Sequence, residues 1–176
     1  YHLTSRGNEQ RPIFRDDRDR HHFCELLAEM VSRFDVVLHA FVLMDNHYHL
    51  LLELREANLS RALQCLNVSY SVWFNRRWER CGHLFQGRYQ SVIVEAPAWG
   101  LGMSRYIHLN PVRTEKLGLG KSEQRQMRTG ARGAPEATMV RERLAHLREY
   151  RWSSFRAYLG LAKVPDWLEC RAVLEL

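Results

Sequence analysis

Two histidines one residue apart, His47 and His49, open an apolar run in "MDNHYHLLLE". On a strand, alternate side chains share a face, so both imidazoles point one way, roughly 6 to 7 Å apart, close enough to hold one metal ion between them. A pair of core or solvated histidines has the same spacing. A metal needs further donors, and "RYIHLNPVR" supplies two candidates. Tyr106 and Asn110 stand four residues apart and share one helical face, offering a phenolic oxygen and an amide oxygen. Each has a plain structural role as well: an amphipathic aromatic packing on a sheet, and a helix end satisfying its last carbonyl before Pro111.

The elements that must position these groups are legible in part. "HLTSR" reads as a first strand ended by the Gly7-Asn8 turn, and a helix follows from Asp16, with Phe23, Leu26, Leu27, Met30, Val31 and Phe34 on one side. "VVLHAFVLM", the Asp45-Asn46 link and "HYHLLLEL" form a hairpin. In its second strand Tyr48, Leu50, Leu52 and Leu54 make a core face for the first two helices, leaving the histidines on the opposite side. Asn58 can cap a second helix carrying Leu59, Leu63, Leu66, Tyr70, Trp73 and Arg77. A strand "SVIVE" and a helix from Pro97 to about Asn110 complete the series, Pro111 disfavouring helical geometry in the residue before it. The order β-α-β-β-α-β-α is that of an α+β, ferredoxin-like antiparallel sheet with an added helix. Residues 118–135, rich in Gly and charge without apolar period, read as a flexible loop between a domain at 1–117 and a C-terminal helical segment at 136–176 that packs on it.

Charge points to a polyanionic partner. Lys plus Arg outnumber Asp plus Glu by 26 to 20, and the only lysines are Lys116, Lys121 and Lys163, so the excess is arginine, suited to forked contact with phosphate. Arg76, Arg77, Arg80 and Arg88 lie among Trp73, Trp78, Phe85 and Tyr89, a mixture suited to a single-stranded nucleic-acid groove and equally to an amphipathic helix with a solvated face. Arg6 and Asn8 flank Gly7, where backbone could approach a nucleotide closely or simply turn. Arg105 and Arg113, within and at the end of "RYIHLNPVR", complete the candidate DNA-binding set. His21, His22, His39, His83, His108 and His146 have no comparable partner and read as structural or surface residues. Cys24, Cys65, Cys81 and Cys170 have neither disulfide-framework nor zinc-knuckle spacing, and no stretch approaches 18 apolar residues, so a cytoplasmic, nucleoid-associated protein without a membrane role is expected.

"YHLTSRGN", "DNHYHLLLE", "HLFQGRY", "RYIHLNPVR" and "RWSSFRAYL", in this order, resemble the REP-associated tyrosine transposases, which are HUH single-tyrosine DNA nucleases related to the transposases of small insertion sequences. The resemblance covers most of the chain outside 118–135. It implies that His47 and His49 bind a divalent metal, magnesium or manganese, with Asn110 in the position of the third ligand. It implies also that Tyr106 is the nucleophile, giving a 5′-phosphotyrosine link and a free 3′-hydroxyl on single-stranded DNA beside a hairpin, in a monomer or homodimer. Ligand chemistry alone would lean to zinc. A catalytically silent nucleic-acid-binding protein on the same fold and a zinc hydrolase using water are the rival readings. Many relatives have proline where this chain has Asp45, a change expected to alter the turn and spare the ligands.

Overall fold

The computed structural model describes residues 1–129 and 135–176. Four strands, β1 (His2–Arg6), β2 (Val36–Met44), β3 (His47–Leu54) and β4 (Gln90–Val92), form one antiparallel sheet in the order β2-β3-β1-β4. With α1 (Asp17–Phe34) after β1 and α2 (Leu59–Arg77) after β3, the chain follows the β-α-β-β-α-β path of the ferredoxin-like α+β fold expected from the sequence.

α1 begins where the Asp16 carboxylate accepts from the Asp19 N–H at 3.1 Å, and ends on Asp35 in the left-handed region. Its Phe23, Leu27 and Met30 meet Leu63, Leu66, Tyr70 and Phe74 of α2 over Leu3, Tyr48, Leu50 and Leu52 of the sheet, all buried in one cluster. The Tyr70 hydroxyl donates to the Ile13 carbonyl at 2.6 Å, satisfying a buried phenol.

The opposite face of the sheet carries α3 (Ala96–His108), whose Ile107 is buried with Ala40, Val42 and Leu51. The C-terminal segment includes α5 (Ala137–Glu149), α6 (Phe155–Tyr158) and α7 (Arg171–Leu174). It runs along the outer edge of β2: Leu43 N–H donates to Trp152 O at 2.8 Å, Ser154 N–H to Phe41 O at 3.0 Å, and Glu169 N–H to Leu38 O at 2.8 Å. An edge that would otherwise be open is covered. His108, at the end of α3, joins this segment through Nε2 and Ser154 Oγ at 2.7 Å.

Several elements depart from the sequence reading. β4 spans Gln90–Val92 rather than 91–95, because the chain leaves the sheet at Ile93, whose side chain is exposed. Asn58 stands at the α2 N-cap without side-chain capping; its Nδ2 donates instead to Phe34 O at 2.8 Å. α3 stops at His108, and Asn110 begins a separate 3₁₀ turn, Asn110–Val112, with Pro111 inside it. The stretch read as a loop at 118–135 contains α4 (Lys121–Arg128), made of good helix formers with no apolar stripe to announce it. Residues 130–134 of that stretch lie outside the described residues. α7 was not foreseen.

The β2–β3 turn is fixed from both sides. The Asp45 carbonyl accepts from Ile13 N–H at 2.8 Å and Phe14 N–H at 3.1 Å, while its carboxylate pairs with the Arg20 guanidinium. The Asn46 carbonyl accepts from Gly7 N–H at 2.8 Å. A side chain at Gly7 would collide with the Arg11 carbonyl and the Ile13 side chain, so the close approach that glycine permits there is made to the chain's own backbone.

Candidate active site

The turn and the alternation of β3 deliver His47 and His49 to the α3 side of the sheet. Register places Arg6 opposite His47 and Thr4 opposite His49, so His2, Thr4 and Arg6 of β1 share that face. Above them α3 presents Tyr106. A cavity of about 720 Å³ is lined by His2, His47, His49, Tyr106, Asn110 and Arg113, with Arg6 and Arg88 at its wall.

Inside it the aromatic rings are in mutual contact. The His47 and His49 centroids are 5.1 Å apart at 89°, and His49 meets the Tyr106 ring edge-on at 5.6 Å. The His2 ring lies beside His49, nearly coplanar with it at 16° and 5.1 Å between centroids, and meets Tyr106 at 5.7 Å. The Arg113 guanidinium lies over the Tyr106 ring, 4.2 Å from its centroid. Asn110 folds its amide back so that Nδ2 donates to the Tyr106 carbonyl at 2.9 Å. This is the helix-end role considered for it, and it also turns the nitrogen inward and leaves the amide oxygen as the unused group. Both sequence readings of Asn110 are therefore compatible with one orientation.

The site is electrostatically positive and its histidines are neutral. Burial pushes the His47 imidazole down to about 4, helped by Arg6. Burial pushes His49 down to about 3, with His47 and His2 adding to it. A neutral ring with a lone pair is the form that binds a metal. Among the described residues no cluster of three or more His, Cys, Asp or Glu side chains is arranged to hold an ion. A metal here would therefore rest on two imidazoles and an amide oxygen, leaving coordination positions for substrate oxygens. The imidazoles suit borderline ions such as zinc and the amide and phosphate oxygens suit harder ones, so the donor set accommodates a divalent ion without selecting one.

The candidate arginines separate into two groups. Arg6, Arg88 and Arg113 converge on the cavity, and Asn8 joins Arg88 in an adjoining groove of about 630 Å³ beside Val68 and Val72 of α2. Arg77 does not join them. Its Nη1 and Nη2 donate to the Asp16 carboxylate at 2.7 and 2.6 Å, and it also pairs with the fully buried Asp19, so it holds the start of α1 to the end of α2. Arg80 lies 5.6 Å from the Phe74 ring centroid, Tyr89 bonds to Ser60 at 3.0 Å, and Arg76 and Arg105 are exposed outside the cavity lining. The aromatics read beside them also turn inward: Phe85 is buried and Trp78 donates to Asp19 at 3.2 Å.

Of the cavity residues that the sequence does not single out, His2 and Gln124 show why. His2 could have been found from alternation, since it shares parity with Thr4 and Arg6 on the first strand. Gln124, on α4, gave no signal because that helix was not foreseen.

The model of the family described as "Transposase IS200 like" matches residues 1–110. No match was found among curated proteins. Among solved structures, a REP-associated tyrosine transposase bound to a REP hairpin superposes with a TM-score of 0.59 at 15% identity, covering 94% of this chain and 82% of that one, a likeness of fold.

Proposed function

The chain belongs to the IS200-like transposase family, and on that premise we propose that it nicks and rejoins single-stranded DNA beside hairpins of repeated palindromic elements, through a covalent link to Tyr106. The observation that carries this reading is the placement of Tyr106: its ring touches His49 and lies under Arg113, over the same cavity that Arg6 and Arg88 line. The similar structure is that of a protein bound to a REP hairpin, which supports a hairpin-bearing strand as the substrate.

His47, His49 and Asn110 would hold a magnesium or manganese ion, which when bound withdraws charge from the phosphate under attack. Arg6, Arg88 and Arg113 bind the strand's phosphates and bring one phosphorus to the Tyr106 hydroxyl. The phenol oxygen forms a bond to phosphorus as its proton passes to solvent, and the bond from phosphorus to the 3′-oxygen breaks as that oxygen takes up a proton from solvent. The products are a 5′-phosphotyrosine and a free 3′-hydroxyl, and the reverse attack rejoins the strand. His49 and His2 wall the tyrosine on one side and Arg113 covers its face, which limits the directions from which the phosphate can arrive. Within the chain, α3 packs on the sheet through Ile107 and so brings these groups together. No helix among the described residues is long and apolar enough to cross a membrane.

The test is direct. Purified protein, manganese and a single strand carrying a hairpin should yield a protein–DNA adduct that survives denaturation, and Tyr106→Phe should abolish it while retaining DNA binding. An adduct of undiminished yield in Tyr106→Phe, or none in the wild type with matched DNA from its own flanking genome, overturns the reading.

A further inference from the structure

Each of the two histidines is held through Nδ1. Asn46, the second residue of the hairpin turn, donates from Nδ2 to the Gln10 carbonyl at 3.0 Å, which fixes the orientation of its amide. Its oxygen then faces His47 Nδ1 at 2.7 Å. An amide oxygen only accepts, so the His47 proton sits on Nδ1 and Nε2 keeps its lone pair. At the second ring the partner is another imidazole: His2 Nε2 and His49 Nδ1 are 2.9 Å apart. One of these nitrogens must donate. His49 lines a cavity that it shares with the guanidinium groups of Arg6 and Arg113. Facing those cations, a lone pair on its remaining nitrogen is favoured over an N–H, so His49 donates from Nδ1 and His2 accepts. The two rings are close to coplanar, 16° apart, so the two nitrogens meet in line.

We propose that Asn46 and His2 are positioning residues that hold His47 and His49 as Nδ1–H tautomers, so that both rings present an unprotonated Nε2 to the same cavity. The proposal rests on the metal reading above for its purpose, and on the hydrogen-bond geometry alone for its content. Outer partners of this kind fix ring orientation and raise ligand basicity, and their loss costs metal affinity about 10- to 100-fold. Asn46 stands behind His47 and acts through it; His2 also walls Tyr106, and its positioning role is the one it exerts on His49. The two supports are also separable, because Asn46 comes from the turn and His2 from the neighbouring strand.

Two readouts test it, both on the full chain without DNA. Nitrogen-15 correlation spectra of the imidazole rings in the metal-free protein at neutral pH should show His47 and His49 protonated on Nδ1. His2→Phe keeps a ring in place and removes the acceptor, so His49 should shift toward the Nε2–H tautomer while His47 stays unchanged; Asn46→Ala should do the reverse. Manganese affinity, titrated calorimetrically, should fall about 10- to 100-fold in each variant. His2→Gln, which returns an acceptor oxygen at about the reach of Nε2, should recover most of the loss. A wild-type His49 protonated on Nε2 overturns the assignment for His2 even if the variants fail to fold. Unchanged tautomers and unchanged manganese affinity in folded His2→Phe and Asn46→Ala overturn it altogether. A wild type that has the Nδ1–H tautomers yet binds no manganese contradicts the metal reading instead, which keeps the two failures apart.

Discussion

The two faces of the sheet are built from alternate residues of the same strands, and they behave as different materials. On one, Tyr48 is fully buried under α1 and α2 with its hydroxyl spent on Asn67 at 2.8 Å, and burial holds its phenol well above the usual range. On the other, its neighbours His47 and His49 line a cavity beneath Tyr106. One tyrosine is closed in by packing and a hydrogen bond, and the other opens onto a positively lined space. The face a tyrosine occupies, not the residue type, therefore decides whether its hydroxyl is spent on the fold or left open to a ligand. The cavity face is not wholly polar either. Ala40, Val42, Leu51 and Ile107 pack beneath α3, and this apolar part gives the polar part a rigid support.

The sharpest way to break this contrast is to exchange the hydroxyls. Tyr106→Phe should remove adduct formation entirely, with thermal stability unchanged, since that side chain is partly exposed and its hydroxyl holds no protein partner among the described residues. Arg77→Ala belongs to the packed side. It leaves the buried Asp19 without its guanidinium, and the melting temperature should fall while adduct yield per folded molecule is retained. Loss of DNA affinity without loss of stability would instead return Arg77 to the DNA-binding set.

Acidification tests the histidine face as a whole. His47 and His108 are pushed down to about 4 and His49 to about 3, whereas an unfolded histidine titrates near ~6.5. Between these values the unfolded chain binds more protons than the folded one, so stability rises with pH there. The metal-free protein should be fully stable above about pH 7 and lose stability as pH falls from ~6.5 to ~4, by up to about 3 kcal/mol for each of these three histidines. A melting temperature that stays level across that interval would contradict the burial of these rings. The smallest effect is that of Tyr48→Phe: it strands the Asn67 oxygen at a cost of about 1 kcal/mol and leaves the adduct unaffected.

Sequence patterns made the local half of this arrangement legible. The β2–β3 hairpin has the bounds read from its two apolar runs, because only the Asp45-Asn46 turn interrupts them, and alternation alone assigned His47 and His49 to one side and Tyr48, Leu50 and Leu52 to the other. What escaped depends on contacts distant in sequence. His2 reaches the site only through pairing of β1 with β3, and Arg77 is claimed by Asp16 and Asp19 about sixty positions earlier, a partnership that helical spacing cannot reveal. α4 has helix-forming residues but buries little, so periodicity was silent about it. Asn110 kept its four-residue relation to Tyr106 even though α3 ends before it, because its amide bonds back to the Tyr106 carbonyl.

The central claim is that Tyr106, and no other tyrosine, takes the DNA strand. Peptide mapping of the denatured adduct by mass spectrometry tests it most directly. Trypsin releases Tyr106–Arg113, "YIHLNPVR", as one peptide. The account expects that peptide, and no other, to carry a nucleotide through a 5′-phosphate on its tyrosine. A nucleotide found on a peptide containing Tyr1, Tyr89 or Tyr150, or an unmodified "YIHLNPVR" in the purified adduct, would contradict it.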